Sequence, residues 1–155
     1  MISIEAKGDN QVRRSLQAMS RDLQREEASR LMEVGRSTQT EAKKKCPVSP
    51  TQSQAKKGEF KEGRSPGTLQ NSIIVKQGRG QVTVGILSGN ALQYAERIHD
   101  GRGKSWRNLG SGSKNKGSQV TDKFVFKAWD DNEKEYVAYM RKGVDKVADK
   151  FNRGT

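Results

Sequence analysis

One cysteine, one histidine and three prolines are all that a chain of 155 residues contains of those types, and aromatic residues make up only 6%. The single Cys46 excludes an intrachain disulfide, which suits folding in a reducing cytoplasm. It has neither a second cysteine nor a histidine at zinc-ligand spacing, so it reads as a small residue packed at a helix end. The lone His99 has no identifiable triad or metal partners, and nothing marks any serine as an activated nucleophile. No run approaches the roughly 20 apolar residues that a bilayer span requires. Met1-Ile2-Ser3-Ile4-Glu5 has no apolar signal core, so the expectation is a soluble chain with no membrane partner. Acid is also scarce, with 18 acidic residues against 30 basic ones and a net charge of +12. An excess of that size points to polyanionic surroundings such as DNA, RNA or anionic lipid. Hydrophobic residues are 31% of the chain and the mean hydropathy is -0.95, which predicts one domain over 1–155 with a thin core.

What is present is patterned, and that argues against global disorder. Ile2 and Ile4 alternate with polar neighbours as in a short strand, and Gly8-Asp9-Asn10 offers a break and a helix cap. From about Gln11 to Lys45 the period is helical. Val12, Leu16, Met19 and Leu23 form a stripe that resumes at Leu31, Val34, Thr38 and Ala42. Glu27 interrupts that stripe, so either the helix is exposed there or Glu27 meets a partner. A helix of this length exceeds what a small domain can cover, and part of it is expected to pack against another subunit. Lys43, Lys44 and Lys45 complement the dipole at its end, and Pro47 stops it. Residues 48–67 read as a long loop. Ser72–Gln77 and Gln81–Ile86 read as a hairpin joined by Gly78-Arg79-Gly80, with Val82, Val84 and Ile86 on one face. Ala91–Ile98 reads as a short helix with Tyr94, Ala95 and Ile98 on one side, and 101–119 as a second long loop. Phe124 and Phe126 alternate like a strand. From Ala128 a helix is predicted, with Trp129, Tyr136, Met140, Val144, Val147 and Phe151 as its stripe. No internal repeat is visible.

Few groups invite a chemical reading. Asp130, Asp131 and Glu133 have the composition of a cation site, but they read as the first turn of a helix, where opposing the dipole is the preferred explanation. Gly78, Gly80, Gly101 and Gly103 come without a Gly-Lys-Ser/Thr sequence or a dinucleotide pattern, so turn geometry explains them. Arg102, Lys104, Arg107, Lys114 and Lys116 are interleaved with glycine, serine and Trp106. Such a segment suits sequence-independent contact with a phosphate backbone, and equally an arm reaching a neighbouring subunit. No acid/base pair suggests an enzyme, and no cofactor or metal is expected.

The order of short motifs is more specific. Cys46-Pro47-Val48 is followed by Ser65-Pro66-Gly67-Thr68-Leu69-Gln70-Asn71-Ser72-Ile73, then by Tyr94-Ala95-Glu96-Arg97-Ile98-His99-Asp100-Gly101, and last by Phe124-Val125-Phe126-Lys127-Ala128. That series resembles the neck, head–tail connector and tail-completion proteins of tailed bacteriophages. Pro47, Gly67, Leu69, Ser72, Tyr94, Ala95, Gly101, Phe124 and Ala128 fall on the motif positions. In this family the Pro-Val element commonly runs almost directly into the Gly-x-Leu element, whereas here some fifteen further residues intervene.

The resemblance implies an α+β domain in which a long N-terminal helix and a C-terminal helix pack on a small antiparallel sheet. It implies a virion protein, made in the host bacterial cytoplasm, whose copies close into a ring. Six copies are expected, with twelve as the alternative. Its implied partners are head-closure or adaptor proteins, the tail terminator or tail tube, and genomic double-stranded DNA held without sequence preference. The rival class is a free basic nucleic-acid-binding protein, which explains the charge but not the ordered motifs.

Overall fold

A computed structural model of the chain describes residues 9–48, 68–87, 91–92, 95, 113, 120–121 and 123–153. The architecture is α+β and mostly helical. Helix α1 spans Asp9–Lys45, α2 Thr68–Asn71, strand β1 Ile74–Gly78, β2 Gln81–Gly85, α3 Phe124–Asp130 and α4 Glu133–Asn152. The two strands form an antiparallel sheet with Val75 opposite Val84 and Gln77 opposite Val82. Every other labelled element except the short α2 packs along α1, which is the spine of the molecule.

Helix α1 runs for 37 residues, about 55 Å at a rise of about 1.5 Å per residue. Its stripe changes character along its length. Val34, Thr38 and Ala42 are buried, whereas Val12 and Leu16 are 58% and 61% exposed. Thr38 occupies a core position by donating its hydroxyl to the Val34 carbonyl at 2.9 Å, which leaves that buried hydroxyl paired. The helix ends where Pro47 forbids continuation, and Cys46 is fully buried there with its N–H on the Ala42 carbonyl at 2.8 Å.

The hairpin connection is tighter than the three-residue turn expected. Gly78 pairs with Gln81, so only Arg79 and Gly80 form the loop, and Gly80 alone takes a positive φ of 67°. A positive φ at the second central residue is the demand of a type II turn, which glycine meets without a steric cost. The strand pattern expected at Phe124 and Phe126 is a helix instead. Phe124 and Ala128, four residues apart, are both buried while Phe126 is 61% exposed, so the operative period is helical rather than two. The single C-terminal helix expected from Ala128 is two helices. Asn132 separates them by donating its side-chain amide to the Ala128 carbonyl at 3.0 Å, while its own carbonyl accepts from the Tyr136 N–H at 2.9 Å. As a result Asp130 ends α3 and Asp131 caps it, and only Glu133, with Glu135, lies in a first turn. The dipole reading therefore fails for both aspartates. Asp131 instead acts as a clasp. Its two carboxylate oxygens take Lys45 and Lys127, each at 2.8 Å, and join the end of α1 to the end of α3.

One core cluster unites Ala42, Cys46, Leu69, Ile73, Ala95, Phe124 and Ala128. Leu69 reaches it from α2, which the sequence did not announce as a helix, and Ser72 closes that turn by donating its hydroxyl to the Thr68 carbonyl at 2.7 Å. Gln39 then donates from α1 to the Ile73 carbonyl at 2.6 Å and fixes the entry to β1. Ala91, Leu92 and Ala95 are helical, as the spacing predicts. The Ile2–Ile4 strand, most of the two long loops, and the side chains of Tyr94, Ile98 and His99 lie outside the described residues.

Candidate functional site

Helices α1 and α4 run antiparallel and are laced by a ladder of polar contacts. Lys150 meets Asp22 at 2.5 Å, Lys146 meets Glu26 at 3.4 Å, and the Tyr136 hydroxyl donates to Ser37 at 3.0 Å. Tyr139 donates its hydroxyl to Glu33. Arg30 sits at the middle of the ladder. Its Nε meets Glu26 at 2.9 Å, its Nη1 donates to the Tyr139 carbonyl at 2.7 Å, and its guanidinium carbon lies 4.4 Å over the Tyr139 ring. A Cβ on Gly143 would collide with the Arg30 stem, so glycine is what lets the guanidinium lie against α4. On the opposite side of α1, a Cβ on Gly35 would come within 2.6 Å of Val82 and 3.0 Å of Val75, so glycine also sets how closely the hairpin approaches.

These charges perturb one another in the expected sense. A hydrogen bond from Lys150 holds the Asp22 carboxyl below its ordinary value, and one from Arg30, then Lys146, does the same for Glu26. Asp131 is lowered by Lys127 and then Lys45. Glu33, accepting from Tyr139, pushes that phenol above its usual value.

With α4 tied down on one flank of α1 and the hairpin on the other, the space between them stays open. It is an apolar cleft of about 810 Å³. Leu23, Leu31, Val34 and Gly35 of α1 form its floor, Val82 and Val84 one wall, and Val125, Phe126 and Trp129 of α3 its end. Tyr136, Val137, Met140 and Val144 of α4 form the other wall. Phe126, Trp129, Val137 and Val144 are at least 39% exposed, so these are large apolar side chains turned toward solvent together. A soluble monomer rarely shows a contiguous apolar surface of this kind unless something occupies it. Charged groups edge the cleft: Glu26 and Glu27 from α1, Arg141 from α4. Glu27, the interruption in the stripe of α1, is exposed at this edge.

The described residues at the motif positions, Pro47, Leu69, Ser72, Ala95, Phe124 and Ala128, do not line the cleft, although Val125 and Phe126 within the last motif do. Leu69, Ala95, Phe124 and Ala128 meet around Cys46 in the core, and Pro47 is half-buried at the helix end. They fix the shape of the domain, and the cleft is a consequence of that shape. Gly67, Tyr94 and Gly101, and the basic set Arg102, Lys104, Arg107, Lys114 and Lys116, lie outside the described residues. Within the span of that basic set, Ser113 is described. It is buried, accepts from the Val48 N–H at 2.9 Å and donates to the Val48 carbonyl at 3.1 Å. Composition gave no signal for that contact, because Ser113 stands in a run of serine and glycine. Among the described residues no group of three His, Cys, Asp or Glu side chains is placed to hold a metal ion, and no helix is long and apolar enough to cross a membrane.

Compared with protein-family models, curated proteins and solved structures, the chain shows no match.

Proposed function

We propose that this chain is a structural protein of the tailed-phage neck, whose copies form a ring that joins head-closure proteins to the tail tube and lines part of the DNA channel. The role is one of assembly and not of catalysis. The observation that carries the reading is the division of labour just described. Residues from four separate motifs converge in one core, while the surface keeps a large apolar cleft that an isolated subunit has no use for. A ring subunit needs such a surface for its neighbours. The net charge of +12 suits the wall of a channel that carries a polyanion, through weak, distributed contacts that release counterions.

The reading is tested by removing the chain from a phage that encodes it. Full heads and complete tails are expected to accumulate separately and to join when the purified chain is added back to the lysate. Normal virions made without the chain would overturn the proposal. Duplex-DNA binding by a discrete monomer, with no effect on head–tail joining, would favour the free nucleic-acid-binding protein.

A further inference from the structure

The outermost tie between α1 and α4 is the Asp22–Lys150 pair, and α4 ends at Asn152. Helix α1 continues past that tie for about twelve residues, roughly 18 Å. Every position from Asn10 to Ala18 is exposed. This arm is amphipathic: Val12, Leu16 and Met19 prolong the stripe that includes Leu23. It is also basic, with Arg13, Arg14 and Arg21 and no carboxylate between Asn10 and Arg21.

The cleft edge carries charge of both signs: Glu26, already paired with Arg30 and Lys146, then Glu27 and Arg141. Glu133 lies one helical turn before Val137 and so on the same face, on a surface it shares with Lys134, Arg141 and Lys142. Neither Glu27 nor Glu133 takes part in an ion pair among the described residues, so both carboxylates are open to an incoming cation. The α3–α4 corner is held to the far end of α1 by the Asp131–Lys45 pair. Arm and corner are therefore separated by most of the length of α1. Because α1 is one continuous helix through the residues that floor the cleft, the arm points away and cannot fold back into its own cleft.

We infer that the occupant of the cleft is the α1 arm of a second copy of this chain, with Val12 and Leu16 seated against Phe126, Trp129 and Val137 and the arginines facing Glu27 and Glu133. Arm into cleft is a heterologous contact: each copy gives one surface and receives the other, so successive copies close into a ring or run on as a filament. The inference deepens the reading of the chain as a self-associating structural protein, and names the surfaces that do it.

Two chains test it, one carrying Leu16→Cys and the other Val137→Cys. Both positions are exposed, Cys46 stays fully buried in each, and the parent chain under the same mild oxidant is the control. The mixture is expected to give a disulfide between positions 16 and 137, identified by peptide mass spectrometry, while Leu16→Cys alone gives little cross-linked product. A second pair guards against local misfolding. Arg14→Glu with Arg21→Glu on one chain, and Glu27→Lys with Glu133→Lys on another, should each weaken self-association about tenfold in sedimentation. Mixing these two should restore it, because each reversed arm then meets a reversed cleft. Arm-to-arm cross-linking by Leu16→Cys alone, or oligomers with no 16–137 disulfide, would overturn this contact and leave the ring reading standing. A chain that stays monomeric at every concentration and gives no cross-link would overturn both.

Discussion

At the scale of single residues, two glycines make opposite demands. Gly35 faces the stiff branched side chains of Val82 and Val75, whose backbone is fixed by the paired hairpin. Gly35→Ala is expected to destabilise by about 1–3 kcal/mol, the usual cost of overpacking a fitted contact, as read from the urea midpoint at unchanged slope. Gly143 faces only the distal atoms of Arg30, and alanine there gains about 1 kcal/mol of helix propensity. Gly143→Ala should therefore cost less than Gly35→Ala, and the reverse order would show that the Arg30 contacts matter more than the hairpin fit. The carboxylates add a pH signature. Asp22, Glu26 and Asp131 have folded pKa values below their ordinary ones, so their contribution is complete above the unfolded range near about 4 and is lost as pH falls through the lowered folded values. Thermal unfolding should accordingly show a flat midpoint from neutral pH to about 5 and a decline below about 4. In Asp131→Asn that decline should be shallower. A midpoint that rose on acidification would contradict the role given to these pairs.

At the scale of elements, α1 is two helices in one. From Asp22 onward it is braced by α3, α4 and the hairpin; before that, Asn10–Ala18 is exposed throughout. An isolated stretch of about twelve residues is marginal as a helix in water. Amide hydrogen exchange of the free chain should find Asn10–Ala18 unprotected and Leu31–Ala42 slow, with protection of the arm appearing as the chain associates. Equal protection along all of α1 at low concentration would mean the arm has no need of a partner. Much of this element was legible in the sequence, because a stripe at helical spacing, three lysines and Pro47 leave little choice for 11–45. The hairpin was legible for the same reason, since Val82 and Val84 alternate. The α3–α4 corner was not. Phe124 and Phe126 alternate over too few residues to separate period two from period 3.6, and the choice is made by Phe124 and Ala128 entering a core built from distant parts of the chain. Nor was the cleft legible: its residues come from α1, the hairpin, α3 and α4, and only Glu27, charged where the stripe asks for an apolar side chain, marked it beforehand.

For the whole molecule, apolar burial and the excess of positive charge work in opposite directions on association. Among the described residues the core cluster is Ala42, Cys46, Leu69, Ile73, Ala95, Phe124 and Ala128, and the proposed contact between copies would add the apolar surface of the arm and the cleft to what is buried. Net charge of +12 opposes that association while the proposed arginine–carboxylate contacts favour it, and salt screens both, so oligomers seated by Val12 and Leu16 should persist as salt is raised over the physiological range. Any attraction to duplex DNA should instead weaken steeply with salt and show no sequence preference. On the proposed neck role, neutralising Arg102, Lys104, Arg107, Lys114 and Lys116 to glutamine should lower DNA retention in the virion while heads and tails stay joined. Separate heads and tails from that variant would identify the basic segment as a docking arm. The most direct measurement for the proposed neck role is electron cryo-microscopy of purified virions carrying a small tag on this chain. The expected result is added density in every subunit of a closed ring between head and tail tube, six-fold or twelve-fold. Density at a single-copy or non-cyclic position, or none in the neck, would contradict it.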